Sequence, residues 1–312
     1  MSETNMINVF DPAGQNEATP EKRVGLFGAT SLVGQCLLPL LRKNGWQVRA
    51  FSRRSISSND QNVQWIQIKN PDDPSGTFAG QIEQIDFWIC VAPAWVLPDY
   101  FPLLEAHGAR RIIAVSSTSL FTKSDSSEAD EKATAHKLSE SEDSLQTWAQ
   151  TKGVDWVILR PTLIYGHGQD KNISELVRLI RRFGFFPLAG EAKGLRQPVH
   201  AEDVAMACIS ALEKSNVASH TYNLSGGETL TYREMIHRLF AALGLRPRII
   251  TVPLWFFRMA AAMIRCFPRY RHWTAQMAER MNANLVFDHA EAVRDLNFSP
   301  RKFQLTSKDL PA

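Results

Sequence analysis

Four short apolar runs constrain this chain more than any other feature: VGLFGA (24–29), IDFWICVAPA (85–94), RRIIAVSS (110–117) and DWVILRP (155–161). Each is too short for a buried helix and too continuous for a strand with one wet face, which leaves strands covered on both sides. WQVRAFS (46–52) and the alternating VQWIQIK (63–69) add two more strands. Helical spacing lies between the runs, as in SLVGQCLLPLLRKNG (31–45), which stops at Gly45. Strand, helix, strand in this rhythm predicts an α/β protein with a doubly wound parallel sheet. In such a sheet the ligand site lies at the carboxyl ends of the strands.

The bulk properties narrow the function less. With 44% apolar and 21% charged residues the chain reads as an ordinary globular protein, and a net charge of +3 gives no electrostatic reason to expect nucleic acid. Cys36, Cys90, Cys208 and Cys266 are far apart and form no CxxC or metal-like spacing. Free thiols in a reducing compartment follow, hence a cytoplasmic location. Residues 1–22 carry acids and no apolar core, so they read as a flexible tail rather than a signal peptide. No apolar run is long enough to cross a bilayer.

The first strand-to-helix turn reads Gly28-Ala29-Thr30-Ser31-Leu32-Val33-Gly34. Glycine at its first position allows a tight turn, and glycine at its last lets helix and strand pack closely. Thr30, Ser31, Leu32 and Val33 then open a helix whose free N–H groups suit a pyrophosphate. Ser31 holds the place where a third glycine is usual. At the end of the second strand stand Ser52, Arg53 and Arg54, and the nearest acid is Asp60, beyond a polar loop. Two guanidiniums suit a 2′-phosphate, so NADP is favoured; NAD remains the alternative, because arginine also stacks on adenine.

GATSLVG, VSSTSLF, ILRPTLIYG and GLRQPVHAEDVA together resemble the extended or atypical short-chain dehydrogenase/reductases. Within that group they are similar to the NAD(P)-dependent epimerase/dehydratase proteins that act on nucleotide-sugars. The resemblance runs from Arg23 to the end. It implies a Rossmann domain over 23–165 plus 199–224 and a smaller C-terminal substrate lobe over 166–198 plus 225–312. It implies a catalytic hydroxyl at Ser117, four residues before Phe121, and cofactor contacts at Ala92, Pro161 and Thr162. It also implies a substrate phosphate at Arg196. Its Tyr-x-x-x-Lys pair is incomplete: Lys137 matches the lysine that holds the nicotinamide ribose, but Ala133 stands at the tyrosine position. His136, Tyr165, the substrate itself, or Ser117 alone could take over the proton transfer. The segment also carries Leu163 where many members have asparagine.

The implied function is an NAD(P)-dependent oxidoreductase or epimerase-like enzyme. Its substrate would be a nucleotide-sugar or a related, phosphorylated carbonyl or hydroxyl compound. The alternative is a weakly active or inactive NADP(H)-binding sensor or assembly protein. A homodimer is compatible with either.

Between Met235 and Ala278 there are seven arginines and no acid, among many aromatic residues and methionines. LWFFRMAAAMIRCFP places Arg258 and Arg265 seven apart, on one helical face. Three readings stay open: a lid over an anionic ligand, a peripheral membrane contact through 254–271, and a packed helix whose arginines reach out to solvent.

Overall fold

The computed structural model describes residues 22–57, 60–68, 83–124, 126, 128–256 and 275–312. The tail expected over 1–22 and the arginine-rich stretch around Arg258 and Arg265 fall outside them, apart from Lys22 and the flanks of the latter.

All six expected strands form. They are β1 (Arg23–Phe27), β2 (Gln47–Ser52), β3 (Val63–Gln67), β4 (Phe87–Cys90), β5 (Arg111–Val115) and β6 (Asp155–Pro161). A seventh, His220–Leu224, pairs with the outer side of β6, so the order is His220–Leu224, β6, β5, β4, β1, β2, β3. Every pairing in this sheet is parallel. The sequence reading passed over the seventh strand because HTYNL is mostly polar. It lies at the edge, where one side of a strand stays open to polar residues.

Helix α1 (Leu32–Lys43) follows β1, and α2 (Phe101–Ala106) follows β4. The short α3 (Ser119–Lys123) and the long α4 (Ala129–Lys152) link β5 to β6. Helices α5 (Ile173–Phe183), α6 (Ala201–Glu213) and α7 (Tyr232–Ala242) complete the set up to residue 242. One face of the sheet packs on α1 and α6 through Leu37, Leu41, Val204 and Cys208. The other packs through Trp88, Leu104, Leu145 and Trp156. Gly25 has a steric reason on this second face, since a Cβ there would stand 2.3 Å from the ring of the fully buried Trp88.

A second core lies outside the sheet, built from Ile173, Val177, Ile180, Phe186, Met235, Leu239 and Phe240. It forms the smaller lobe, where Phe186–Ala189 pairs in parallel with Ile249–Val252. One part of the expected division fails. Helix Ala290–Leu296 and Phe298 pack into the sheet's core, against the side of α6 and His220–Leu224, and not into the smaller lobe. Ala292 and Leu296 are fully buried there, which is reason enough for the chain to return.

Cys36, Cys90 and Cys208 are free and buried, and burial pushes each thiol up to about 12. They are packing residues rather than nucleophiles.

The last turn ties the two lobes to acid. Asp309 lies buried, 3.1 Å from His200 Nε2, and accepts from Thr306 N and Oγ1 at 2.9 and 2.8 Å. Burial alone would raise its carboxyl, but the hydrogen bonds from His200, Thr306 and His167 hold it well below the usual carboxylate range. A carboxyl depressed in the folded state stabilises above its unfolded value of about 3.9, and that contribution is lost as pH falls through the folded value. Thermal unfolding should therefore show Tm falling on acidification below about pH 4. Asp309→Asn should lower Tm at neutral pH and flatten that acid slope.

Candidate functional site

The site grows from the turn after β1. Gly28 has φ +81°, and a Cβ on it would stand 2.4 Å from Ala92 N. A Cβ on Gly34 would stand 2.3 Å from Gly28 O. Both glycines thus let β1, the end of β4 and the start of α1 close on one another. Ser31 is the N-cap: its Oγ accepts from Gly34 N at 3.1 Å, while its own N–H donates to Gly28 O at 2.8 Å. The N–H groups of Leu32 and Val33 have no partner among the described residues, and the first turn of α1 carries no acid. A helix start with orphan donors and no negative charge fits a pyrophosphate. Ser31, which replaces a glycine, spends its hydroxyl on the helix and leaves those two donors open.

Ser52, Arg53 and Arg54 lie just past β2. Ser52 Oγ accepts from Arg54 N at 3.1 Å, and both arginines are exposed, with no ion pair among the described residues. Asp60, the nearest acid in sequence, is held by Arg42 at 2.9 Å and does not serve the end of β2.

A cavity of about 1000 Å³ opens from this turn toward the smaller lobe. Thr30, Ser31, Leu32, Val33 and Ala92 form one end of its wall; Ser117, Pro161 and Thr162 line the middle; Arg196 lies on the lobe side. Of the three hydroxyls after β5, Ser116 donates to the buried Glu142 at 2.5 Å and Thr118 to Pro161 O at 3.2 Å. Ser117 Oγ accepts from Ser119 N at 3.1 Å, and its proton has no acceptor among the described residues. Thr162 Oγ1 donates to Gln197 O, which fixes it on the wall. Leu163 lines the cavity too.

Helix α4 departs from the sequence reading. Its cavity wall is Glu131, Thr134 and Leu138, whereas Ala133 and Lys137 are exposed and do not line the cavity. Adjacent helical residues point about 100° apart, so a pair placed one residue off leaves the site altogether. The positions one turn apart that face the cavity are Thr134 and Leu138, and neither is a proton-transfer residue. The other stand-ins are also elsewhere. His136 is 73% exposed and pairs with Glu140 at 3.0 Å. Tyr165 is fully buried against His200 and Phe303, and burial pushes its hydroxyl up to about 12.

Arg196 is buried and carries no carboxylate partner among the described residues. Its guanidinium donates to the carbonyls of Leu195 and Ala283 at 2.7 and 2.8 Å and to that of Arg280, and it stacks over Tyr232. Burial holds its pKa down to about 10. Glu191 and Glu202, the acids near it in sequence, pair instead with Lys193 and Arg301. So Arg196 adds positive charge to the wall while tying down the carbonyls that end helix Ala275–Arg280. His200 and Asp203 belong to structure: His200 Nδ1 caps α6 by accepting from Glu202 N, and Asp203 holds Arg301.

The sequence reading missed the triad Ser116–Glu142–Arg160, whose Ser116 lines the cavity, and the polar group of Lys123, Glu131 and Arg280 on the same lining. Among the described residues, no helix is long and apolar enough to cross a membrane and no cluster of side chains suits a metal ion.

Residues 101–225 match the NAD dependent epimerase/dehydratase family. The UDP-glucose 4-epimerase of Vibrio cholerae is 22% identical over 162 residues, 52% of this chain and 47% of that protein. An Arabidopsis thaliana mitochondrial protein, NADH dehydrogenase [ubiquinone] 1 alpha subcomplex subunit 9, is 27% identical over 158 residues, 47% of this chain and 39% of that one. The chain thus spans less than half the length of either relative. The structure of UDP-glucuronic acid 4-epimerase from Bacillus cereus, solved with UDP-glucuronic acid and NAD, has a TM-score of 0.67 at 14% identity. It covers 92% of this chain and 95% of its own, a likeness of fold.

Proposed function

We propose that this chain, whose residues 101–225 match the NAD dependent epimerase/dehydratase family, is an NAD(P)-dependent oxidoreductase of the epimerase type. Its substrate is a nucleotide-sugar or a related phosphorylated carbonyl or hydroxyl compound. The observation that supports this best is that one cavity is lined both by Leu32 and Val33, whose N–H groups are orphaned, and by the buried cation Arg196. It has room for a ligand beside a nicotinamide, and its two ends both favour negative charge. When bound, a nicotinamide dinucleotide supplies hydride transfer. The chain's part is to hold the pyrophosphate on α1, to orient the substrate through the free proton of Ser117, and to place positive charge at the far wall. The relatives that act on or bind UDP-sugars support the same substrate class.

Arg53 and Arg54 make NADP the preferred form. A charge-assisted bond to a phosphate is worth about 1.5–3 kcal/mol, roughly tenfold or more in affinity. Arg53→Ala with Arg54→Ala should therefore weaken NADPH at least about tenfold by fluorescence titration and leave NADH within about twofold. Equal losses for both cofactors would mean the two arginines do not read the 2′-phosphate.

A second reading has its own observation: Thr134 and Leu138, on the cavity face of α4, move no protons. On that reading the chain holds NADP(H) without turnover, as a sensor or an assembly subunit, and its likeness to a named NADH dehydrogenase subunit supports it. One experiment separates the two. Protein loaded with NAD or NADP is mixed with UDP- and dTDP-sugars, and reduced-nicotinamide absorbance and sugar composition are followed. Change with any sugar supports the enzyme; tight cofactor binding with no change across the panel supports the second reading.

A further inference from the structure

We propose that Lys123 is the proton-transfer residue of the cavity, since Thr134 and Leu138 of α4 move no protons and Glu131 is bound to Arg280 and Ser126; this rests on the enzymatic reading above. Helix α3 leaves directly from the turn of Ser116, Ser117 and Thr118, and it brings Lys123 onto the same cavity wall as Ser117, Pro161 and Thr162. The side chain is half-buried, and no carboxylate pairs with it among the described residues.

Two charged groups face Lys123: Glu131 from α4 and Arg280 from the smaller lobe. They are bound to each other, and Ser126 Oγ also donates to Glu131 Oε2 at 2.8 Å. The acid beside Lys123 is therefore already engaged, and the arginine repels it. Burial, with Arg280 adding and Glu131 opposing, holds the amine below the ordinary lysine range. An amine that is neutral nearer working pH is what a general base requires. The neighbouring polar groups are less suited. Burial pushes Tyr232 up to about 12, Asp170 is occupied by Ser174 and the amide of Asn172, and the Thr134 hydroxyl donates to Asp130 O.

An oxidised nicotinamide, when bound, would supply the hydride acceptor. The O–H bond of a substrate alcohol would break with its proton passing to the neutral amine of Lys123 as the alcohol carbon is oxidised to a carbonyl, and the ammonium of Lys123 would return that proton in the reverse direction.

The test has two arms on the full chain. In the first, competitive acetylation with acetic anhydride is run across pH and read by peptide mass spectrometry. Lys123 should label with a midpoint below that of the exposed lysines as a group, and UDP should protect it. In the second, NAD-loaded protein is mixed with UDP-glucose or UDP-glucuronic acid, and reduction of the bound nicotinamide is timed. Lys123→Met and Lys123→Arg should each slow it about 10²- to 10⁴-fold. Lys123→Arg, which keeps the charge, should leave UDP affinity within about twofold. If Lys123→Arg reduces the nicotinamide at the wild-type rate, Lys123 is a charge on the wall and the proposal falls. A labelling midpoint equal to that of the exposed lysines overturns it whether or not turnover is seen. Wild-type protein that turns over no sugar overturns the enzymatic reading instead.

Discussion

Gly28→Val is expected to weaken dinucleotide binding at least about 100-fold and to lower Tm, with both effects visible in NADPH fluorescence titration and thermal unfolding. The reason is local. Gly28 has φ +81°, a region costly for side chains, and worst for a β-branched one. Its new Cβ would stand 2.4 Å from Ala92 N and 2.7 Å from the Val91 carbonyl carbon, both backbone atoms at the end of β4. No flexible side chain is there to yield. The turn must move, and it carries the free N–H groups of Leu32 and Val33 with it. Strain of this kind costs on the order of 1–3 kcal/mol before the contact itself is counted. Gly45→Ala supplies the control. Gly45 has φ +78°, but nothing lies within 4 Å of its Cβ position, so only the backbone cost of about 1–2 kcal/mol applies. That variant should lose stability and keep its cofactor. If Gly28→Val binds NADPH as tightly as wild type, the turn is not the pyrophosphate cradle.

The fold was readable because burial on both faces leaves an unbroken apolar signature. IIAV and WVIL can be little else in an α/β chain, and both became central strands. The turn of Gly28 was readable for a related reason, since close approach of backbone to backbone demands glycine at fixed places. The site beyond it was much less so. Arg196 stands on the cavity wall, but three carbonyls take its donors, and nothing in GLRQPVH announces contacts some 85 residues away. Lys123 and Glu131 carry no motif, and they meet Arg280 only because the smaller lobe folds back over α4.

The face that α4 turns to the cavity, by contrast, is legible in the sequence itself. Leu138, Leu145, Trp148 and Ala149 repeat at helical spacing and are all buried, as are Ser141 and Glu142 between them. Carried back one turn, that stripe passes through Ala135 and Thr134 and on to Glu131, and it leaves Lys137 outside. That buried period, and not a single exposed lysine, orients the helix.

Thr134→Tyr combined with Leu138→Lys should accordingly raise turnover of a UDP-sugar about 10²-fold or more in a Lys123→Met background, the usual worth of a positioned proton-transfer group. The two positions are one turn apart and both line the cavity, so a tyrosine at the first and a lysine at the second face the same space. The lysine then lowers the tyrosine's pKa electrostatically, which a tyrosine alone would lack. Some stability will be lost, since Leu138 is only 3% exposed and an amine replaces its apolar contacts. Tm measured beside the rate separates that cost from the chemistry. Ala133→Tyr is the decisive comparison. It completes the Tyr-x-x-x-Lys motif in the sequence with Lys137, yet both side chains project to solvent, so the rate should stay within about twofold of that background. A gain from Ala133→Tyr with none from the double variant would place Lys137, and not Leu138, on the wall of the site. A gain from the double variant alone would show that the cavity still holds a substrate in reach of hydride and proton together, and that this chain differs from its relatives in where the proton goes.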